Sequence, residues 1–108
     1  MIMVRAIVRP EKTNDVLSEL LSAGFAAVTK MDVFGRGKQK GIRIGEMQYD
    51  EIPKQMLMMV VSDEDKNDLV KIILRVARTG EKGHFGDGRI FVSPVVESWT
   101  ISTGAKGL

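Results

Sequence analysis

Apolar positions along the chain fall into two alternating kinds of period. Ile2 to Val8 (Ile-Met-Val-Arg-Ala-Ile-Val) is apolar and branched, too short for a helix, and stopped by Arg9-Pro10, which predicts a buried strand. From Thr13, read as an N-cap, Val16, Leu17, Leu20 and Leu21 recur at the three-and-four spacing of one helix face, with Gly24 at its end. Phe25 to Phe34 alternates in its second half and predicts a strand closed by Gly35. Gln55 to Val61 predicts a third strand. Ser62 with Asp65 three residues on marks the start of a second helix, which carries Leu69, Val70, Ile72, Ile73, Val76 and Ala77 and ends at Gly80. Ile90 to Val95 is the fourth strand, and Trp99 and Ile101 are expected to anchor the tail.

Strand-helix-strand occurring twice predicts an α+β, ferredoxin-like βαββαβ domain, a four-stranded antiparallel sheet with two helices on one face. The strands are apolar on both sides, as in Met56-Leu57-Met58-Met59-Val60. Two helices cover one face only. The open face is therefore expected to associate, since hiding several hundred Å2 contributes on the order of 10 kcal/mol per chain at ~25 cal/mol per Å2. A tight homo-oligomer follows.

Length and composition narrow the class. The 108 residues, 44% hydrophobic, suffice for one domain, 1–108. A formal net charge of +2 makes bulk nucleic-acid binding a poor reading. The chain has no cysteine, which excludes disulfides and thiolate metal sites. No apolar run approaches the roughly 20 residues of a membrane span, and the N-terminus lacks the core of a signal peptide. The expectation is a soluble cytoplasmic protein without membrane insertion.

Two segments carry candidate chemistry. Gly35 to Lys54 is long for a connection, and Arg36, Lys38, Lys40 and Arg43 lie in it with no acid between them, as a solvated loop or as an anion site. Arg78 to Val92 holds four glycines in nine positions, at 80, 83, 86 and 88. Such a loop reads equally as a plain turn and as a backbone cradle for an anion such as phosphate, beside Lys82 and Arg89. It is not a Walker loop, because Arg89-Ile90 stands where Lys and Ser or Thr are required. Gly35 to Gly41 is not a dinucleotide fingerprint, being one residue too long and followed by no helix pattern. There is no nucleophile-base pair and a single histidine, so general catalysis lacks its parts. A small phosphohydrolase using Arg89 or Arg36 as clamp is the enzyme alternative.

Thr79-Gly80 followed by Gly86-Asp87-Gly88-Arg89-Ile90-Phe91-Val92 resembles the C-terminal signature of the PII signal-transduction proteins, and Gly35 to Gly41 resembles the base of their T-loop. Arg9-Pro10, Thr29, Gln39-Lys40-Gly41, Pro53-Lys54, Pro94-Val95 and Thr103-Gly104 extend the resemblance over nearly the whole chain. It implies a trimer of ferredoxin-like subunits that binds ATP or ADP, Mg2+ with ATP, and 2-oxoglutarate in clefts between subunits. The T-loop would be about 36–54, the B-loop about 80–89 and the C-terminal loop about 97–108. By the same resemblance Gly35, Arg36, Gly37, Lys38 and Gln39 would meet Gly86, Asp87, Gly88 and Arg89 across a subunit boundary and grip the phosphates. Thr29 would lie beside the adenine. Gln39 would help hold Mg2+ and 2-oxoglutarate, and Lys54 would pair with the distal carboxylate of that ketoacid. On its own, Lys54 reads as an exposed lysine closing a loop.

Departures from the family pattern carry expectations too. The T-loop is short and lacks the segment that bacterial members uridylylate, so Tyr49 is expected to escape that modification. Three extra residues precede Gly86; Phe85 is expected to pack them down, with His84 a solvated loop histidine. Thr100 and Ser102 stand where many members have phosphate-binding arginines, which should weaken triphosphate affinity. The run from Asp32 to Gly41 looks like the archaeal nitrogen-fixation branch, whose members work as paired PII-like proteins on dinitrogenase. The function implied is regulatory, with slow ATP hydrolysis compatible as a timer. Alternative readings are control of an ammonium transporter or glutamine synthetase, or a ferredoxin-like sensor of another small molecule.

Overall fold

A computed structural model of the chain describes residues 1–36 and 51–108, together with the strand pairing of residues 43–44 with 47–48. The elements in order are β1 (Ile2–Val8), α1 (Thr13–Ser22), β2 (Thr29–Gly35), the short β3 (Arg43–Ile44) and β4 (Met47–Gln48), β5 (Ile52–Val61), α2 (Lys66–Ala77) and β6 (Gly88–Pro94). The main sheet has the order β2-β5-β1-β6, each neighbour antiparallel. This is the predicted ferredoxin-like sheet, with the first and third long strands at its centre.

Register decides which face each apolar residue takes. Val4 pairs with Met59 and with Val92, and Ala6 with Leu57 and Ile90, so these side chains share one face. Val16 and Leu20 of α1, with Leu69, Ile73 and Ala77 of α2, close over that face, and Val4, Ala6, Val8, Leu57 and Met59 are all buried beneath them. Leu21, expected on the buried stripe, is 63% exposed, because the stripe of this ten-residue helix is only wide enough for Val16 and Leu20 with Leu17 at the margin. Met3, Ile7, Met56, Met58 and Val60 alternate onto the opposite face, joined by Met31 and Phe91, which are respectively 37% and 50% exposed. No helix of the described chain lies there.

Both helices start differently from their sequence signals. Pro10–Lys12 and Asp63–Asp65 each form a 3-10 turn ahead of the helix proper. Thr13 is consequently the first residue of α1 rather than its cap; it is buried, and its hydroxyl donates to the Arg9 carbonyl at 3.5 Å. Ser62 stands at the N-cap of the short turn with no side-chain bond to its backbone; its hydroxyl donates to the Asp65 carboxylate at 3.0 Å, and α2 begins after it. α1 ends as expected at Gly24, with φ of 94°; Gly24 N–H donates to the Leu21 carbonyl and Phe25 N–H to the Leu20 carbonyl, the paired bonds of a Schellman cap. α2 stops at Ala77, three residues before Gly80, where Arg78 turns extended.

Two further expectations change. β5 starts at Ile52, not Gln55, and takes in Pro53; β1 reaches only to Gln55, so at Pro53 the strand has one neighbour and a missing N–H breaks no ladder on its open side. The tail touches the body through Ser98, whose hydroxyl donates to the Met1 sulfur at 3.4 Å, and not through Ile101. It folds on itself through a Trp99–Lys106 bridge, with Thr100 N–H donating to the Ala105 carbonyl and Gly107 N–H to the Ser98 carbonyl. Trp99 stays 58% exposed under the Lys106 ammonium, 5.8 Å from its ring, and Ile101 is fully exposed.

Candidate functional site

One end of the sheet gathers most of the residues singled out above. Val8 is the last residue of β1 and faces Gln55 on one side and Gly88 on the other. The next residue, Arg9, therefore falls between Lys54 and Asp87. On the far side of β5, Val33 faces Lys54 and Gly35 faces Ile52. Gly35 on β2 and Gly88 on β6 thus lie at the same end of the sheet, with Lys54 of β5 and the end of β1 between them. Contact is made within the chain by Lys54, whose ammonium donates to the Gly86 carbonyl.

Asp87 organises the glycine loop. Its Oδ1 accepts from Arg9 Nε at 3.0 Å and from the Thr79 hydroxyl at 2.7 Å, and its Oδ2 accepts from the backbone N–H of Thr79 at 3.1 Å and of His84 at 2.9 Å. Burial alone would push this carboxyl up. The bonds from the Thr79 hydroxyl, the His84 and Thr79 N–H groups and Arg9 outweigh it and hold Asp87 well below the usual carboxylate range. The Asp87 N–H donates to the His84 carbonyl at 3.1 Å, so this amide is engaged within the loop and does not face outward toward a phosphate, as the sequence suggested.

His84 is held rather than freely solvated. Its Nδ1 lies 2.8 Å from the Thr79 hydroxyl and 3.0 Å from the Thr79 carbonyl. Phe85 does not pack the insertion down; it is 89% exposed, and its carbonyl accepts from the Arg9 guanidinium at 2.9 Å. The loop is tied by polar bonds to Arg9 and Asp87, leaving the ring no apolar surface to cover. Gly88 then enters β6 with φ of 118°, and a Cβ built on it would lie 1.7 Å from the Ile7 carbonyl oxygen. Only glycine lets the loop join the sheet there.

The charge at this end is cationic. Burial first, and the Arg9 charge second, lower the Lys54 pKa, while Glu11 and Asp87 oppose the shift. Arg9 already has Asp87, but Lys54 holds only a carbonyl. Arg89 pairs in register with Ile7, and alternation puts it on the open face with Lys54. Such a site suits an anion. It does not suit a bare divalent cation, since both Asp87 oxygens are engaged and no group of three His, Asp or Glu among the described residues could hold a metal.

Other expected site residues are not brought here. Thr29 begins β2 opposite Met58, six residues and about 20 Å from Gly35. Thr100 and Ser102 follow β6, whose far end at Pro94 lies six residues from Gly88. Arg36 follows directly on β2, and Gly37, Lys38, Gln39 and Tyr49 lie outside the described residues. Arg9 and Thr79 were not among the expected site residues: both carried the family resemblance and Arg9 marked a strand stop, but the partner of Arg9 is 78 residues away.

Fold and site together define a ferredoxin-like domain with a cationic strand end. The chain matches the family model described as Nitrogen regulatory protein P-II over residues 1–105. It is 53% identical over 106 residues, 98% of each chain, to the Nitrogen fixation nifHD region GlnB-like protein 1 of Methanobacterium ivanovii, and 54% identical, again over 98% of each, to the nifHD1 region GlnB-like protein 1 of Methanosarcina barkeri. Against the Nitrogen regulatory protein P-II 2 of Methanothermobacter thermautotrophicus it is 42% identical over 106 residues, 94% of this chain and 90% of the other. The chain belongs to the P-II family of nitrogen regulatory proteins, and its nif-region relatives from methanogens match the nitrogen-fixation branch that the sequence resembles.

Proposed function

We propose that the protein is a homotrimeric cytoplasmic regulator that binds ATP or ADP and 2-oxoglutarate at its subunit clefts and controls dinitrogenase through the T-loop. It works alone or beside a second PII-like chain. The observation that carries the reading is Lys54, a cation with a lowered pKa and, among the described residues, no carboxylate partner of its own, touching the Gly86 carbonyl of the B-loop. A ketoacid carboxylate would supply the missing counter-charge and compete with that carbonyl, so the ligand state is felt by both loops.

Gly35, Arg36, Gly37, Lys38, Gln39, Gly86, Gly88 and Arg89 would hold the phosphates, with Asp87 shaping the loop. Mg2+ would arrive on the phosphate oxygens, helped by Gln39, and would bridge the nucleotide to the ketoacid. Thr29 sits at the other end of β2 in one chain, so a neighbouring subunit must bring it to the adenine, which supports a closed trimer built on the open apolar sheet face. The nif-region names of the relatives support dinitrogenase as target.

The protein acts by binding, as a population shift in the T-loop whose size is limited by the ligand's differential affinity for the two loop arrangements. Turnover of ATP, if measured, should stay below about 1 per second. Calorimetry tests the site: 2-oxoglutarate should tighten ATP binding, and Lys54→Ala should abolish that coupling while sparing ATP itself. Coupling that survives in the variant removes Lys54 from the role. Co-purification from nitrogen-limited and nitrogen-replete cells tests the target, and recovery of an ammonium transporter or glutamine synthetase in place of dinitrogenase would reassign it.

A further inference from the structure

α2 buries Leu69, Ile73 and Ala77 toward the sheet, which turns the opposite side of the helix to solvent. On that outer side Lys71, Leu74 and Arg75 stand at the three-and-four spacing that stacks side chains along one helix face, and Arg78, the C-cap, continues the row. With Gly80 and Glu81 of the turn that follows, they line a shallow hollow of about 420 Å3. Leu74 is 49% exposed within it.

The hollow is cationic. Lys71, Arg75 and Arg78 are all exposed, and Glu81 is the only acid in the lining among the described residues. Glu19 of α1 holds Arg75 at 3.3 Å. Lys71 and Arg78 make no hydrogen bond or ion pair among the described residues. The negative end of the helix favours cations at Arg75 and Arg78, but it accounts neither for Lys71, a turn earlier, nor for the leucine left open among the three.

Seven helical residues, the separation of Lys71 and Arg78, rise about 10 Å. A facing helix presents two carboxylates at that separation on one side with an apolar residue midway, whereas residues about 10 Å apart along an extended strand point to opposite sides. A nucleic-acid backbone fits less well, since it would meet the Glu19 and Glu81 carboxylates and leave Leu74 uncovered.

We propose that the outer face of α2 docks an acidic amphipathic helix of a partner protein, with carboxylates seven residues apart on Lys71 and Arg78 and an apolar side chain between them on Leu74. The row shares no residue with the strand end where Lys54 meets Gly86, and it lies on the helix layer, away from the open sheet face. It therefore stands apart from the nucleotide and trimer readings.

The test uses the full-length protein and a synthetic alanine-rich helix of about 15 residues, carrying two glutamates seven positions apart with a leucine midway. In an amide resonance titration, Lys71, Leu74 and Arg78 should shift saturably and Lys54 and Gly86 should not. Glutamine in place of both glutamates should weaken the peptide about tenfold, as should salt at about 0.5 M. Leu74→Ser should weaken it severalfold. Lys71→Glu combined with Arg78→Glu should abolish binding of the glutamate peptide and should create binding of a lysine version, an exchange that a merely unfolded variant would not produce. The proposal is overturned if α2 shows no saturable shift, if the shifts fall on the strand end instead, or if the glutamine peptide binds as tightly. A short single-stranded oligonucleotide that displaces the peptide from α2 at lower concentration than the peptide itself needs overturns it equally.

Discussion

Arg9 Nε stands 3.0 Å from Asp87 Oδ1, an ion pair between a strand end and a loop 78 residues further along the chain. It is only partly exposed, with side-chain accessibilities of 26% and 20%, and Asp87 makes three further bonds that keep its charge in place. The pair converts a glycine-rich segment that would otherwise fluctuate into a loop with one shape.

Asp87 should make stability depend on acid. Its folded pKa lies below the unfolded value of about 3.9, so its contribution is fully present above that value and is lost as pH falls toward the folded one. Asp87→Asn should cost about 2 kcal/mol or more at pH 7, and denaturant melts at pH 7, 5 and 3 should show the gap to wild type unchanged between the first two and narrowed at the third. A gap constant down to pH 3 would mean that the carboxylate is not favoured by the fold.

Gly88 and Gly35 should respond oppositely to alanine. At Gly88 the new methyl meets the Ile7 carbonyl oxygen at 1.7 Å with φ of 118°, whereas at Gly35 nothing lies within 4 Å. Gly88→Ala should lose about 4 kcal/mol or fail to fold, and Gly35→Ala should change thermal stability by less than about 1 kcal/mol.

The open sheet face should hold subunits together. Met56 sits in the row Met31, Met56, Ile7, Arg89, at its apolar centre. Sedimentation at micromolar concentration should give a trimer, and Met56→Glu should give a monomer that keeps its helical circular dichroism, since the helices pack on the other face. A wild-type monomer under those conditions would remove the need for the face to be covered.

Gly24→Ala probes the end of α1. With φ of 94° and open space around the Cβ, the cost is backbone strain alone. A loss of about 1 kcal/mol in a chemical melt is expected, without a change in nucleotide binding.

Local chemistry made much of this legible. The spacing of Val16 and Leu20, and of Leu69 and Ile73, identified the helices and the sides they bury, and the positive φ of Gly24 follows from its place after the last apolar turn. Helix starts were less legible, because Arg9-Pro10 and Ser62 can open a 3-10 turn as readily as an α-helix, and a few residues of sequence do not separate the two. The tail was less legible because Trp99 and Ile101 look like anchors in any sequence, and only the folded chain leaves Trp99 58% and Ile101 fully exposed.

By itself the sequence determined which segments are strands and helices and the apolar character of both sheet faces, since each depends on residues near one another in the chain. Tertiary structure alone decided that Arg9 lies between Lys54 and Asp87, and that Gly88 enters β6 against the Ile7 carbonyl. Those relationships come from strand order and register, which set neighbours across dozens of residues and leave no periodic trace in the amino acids that obey them.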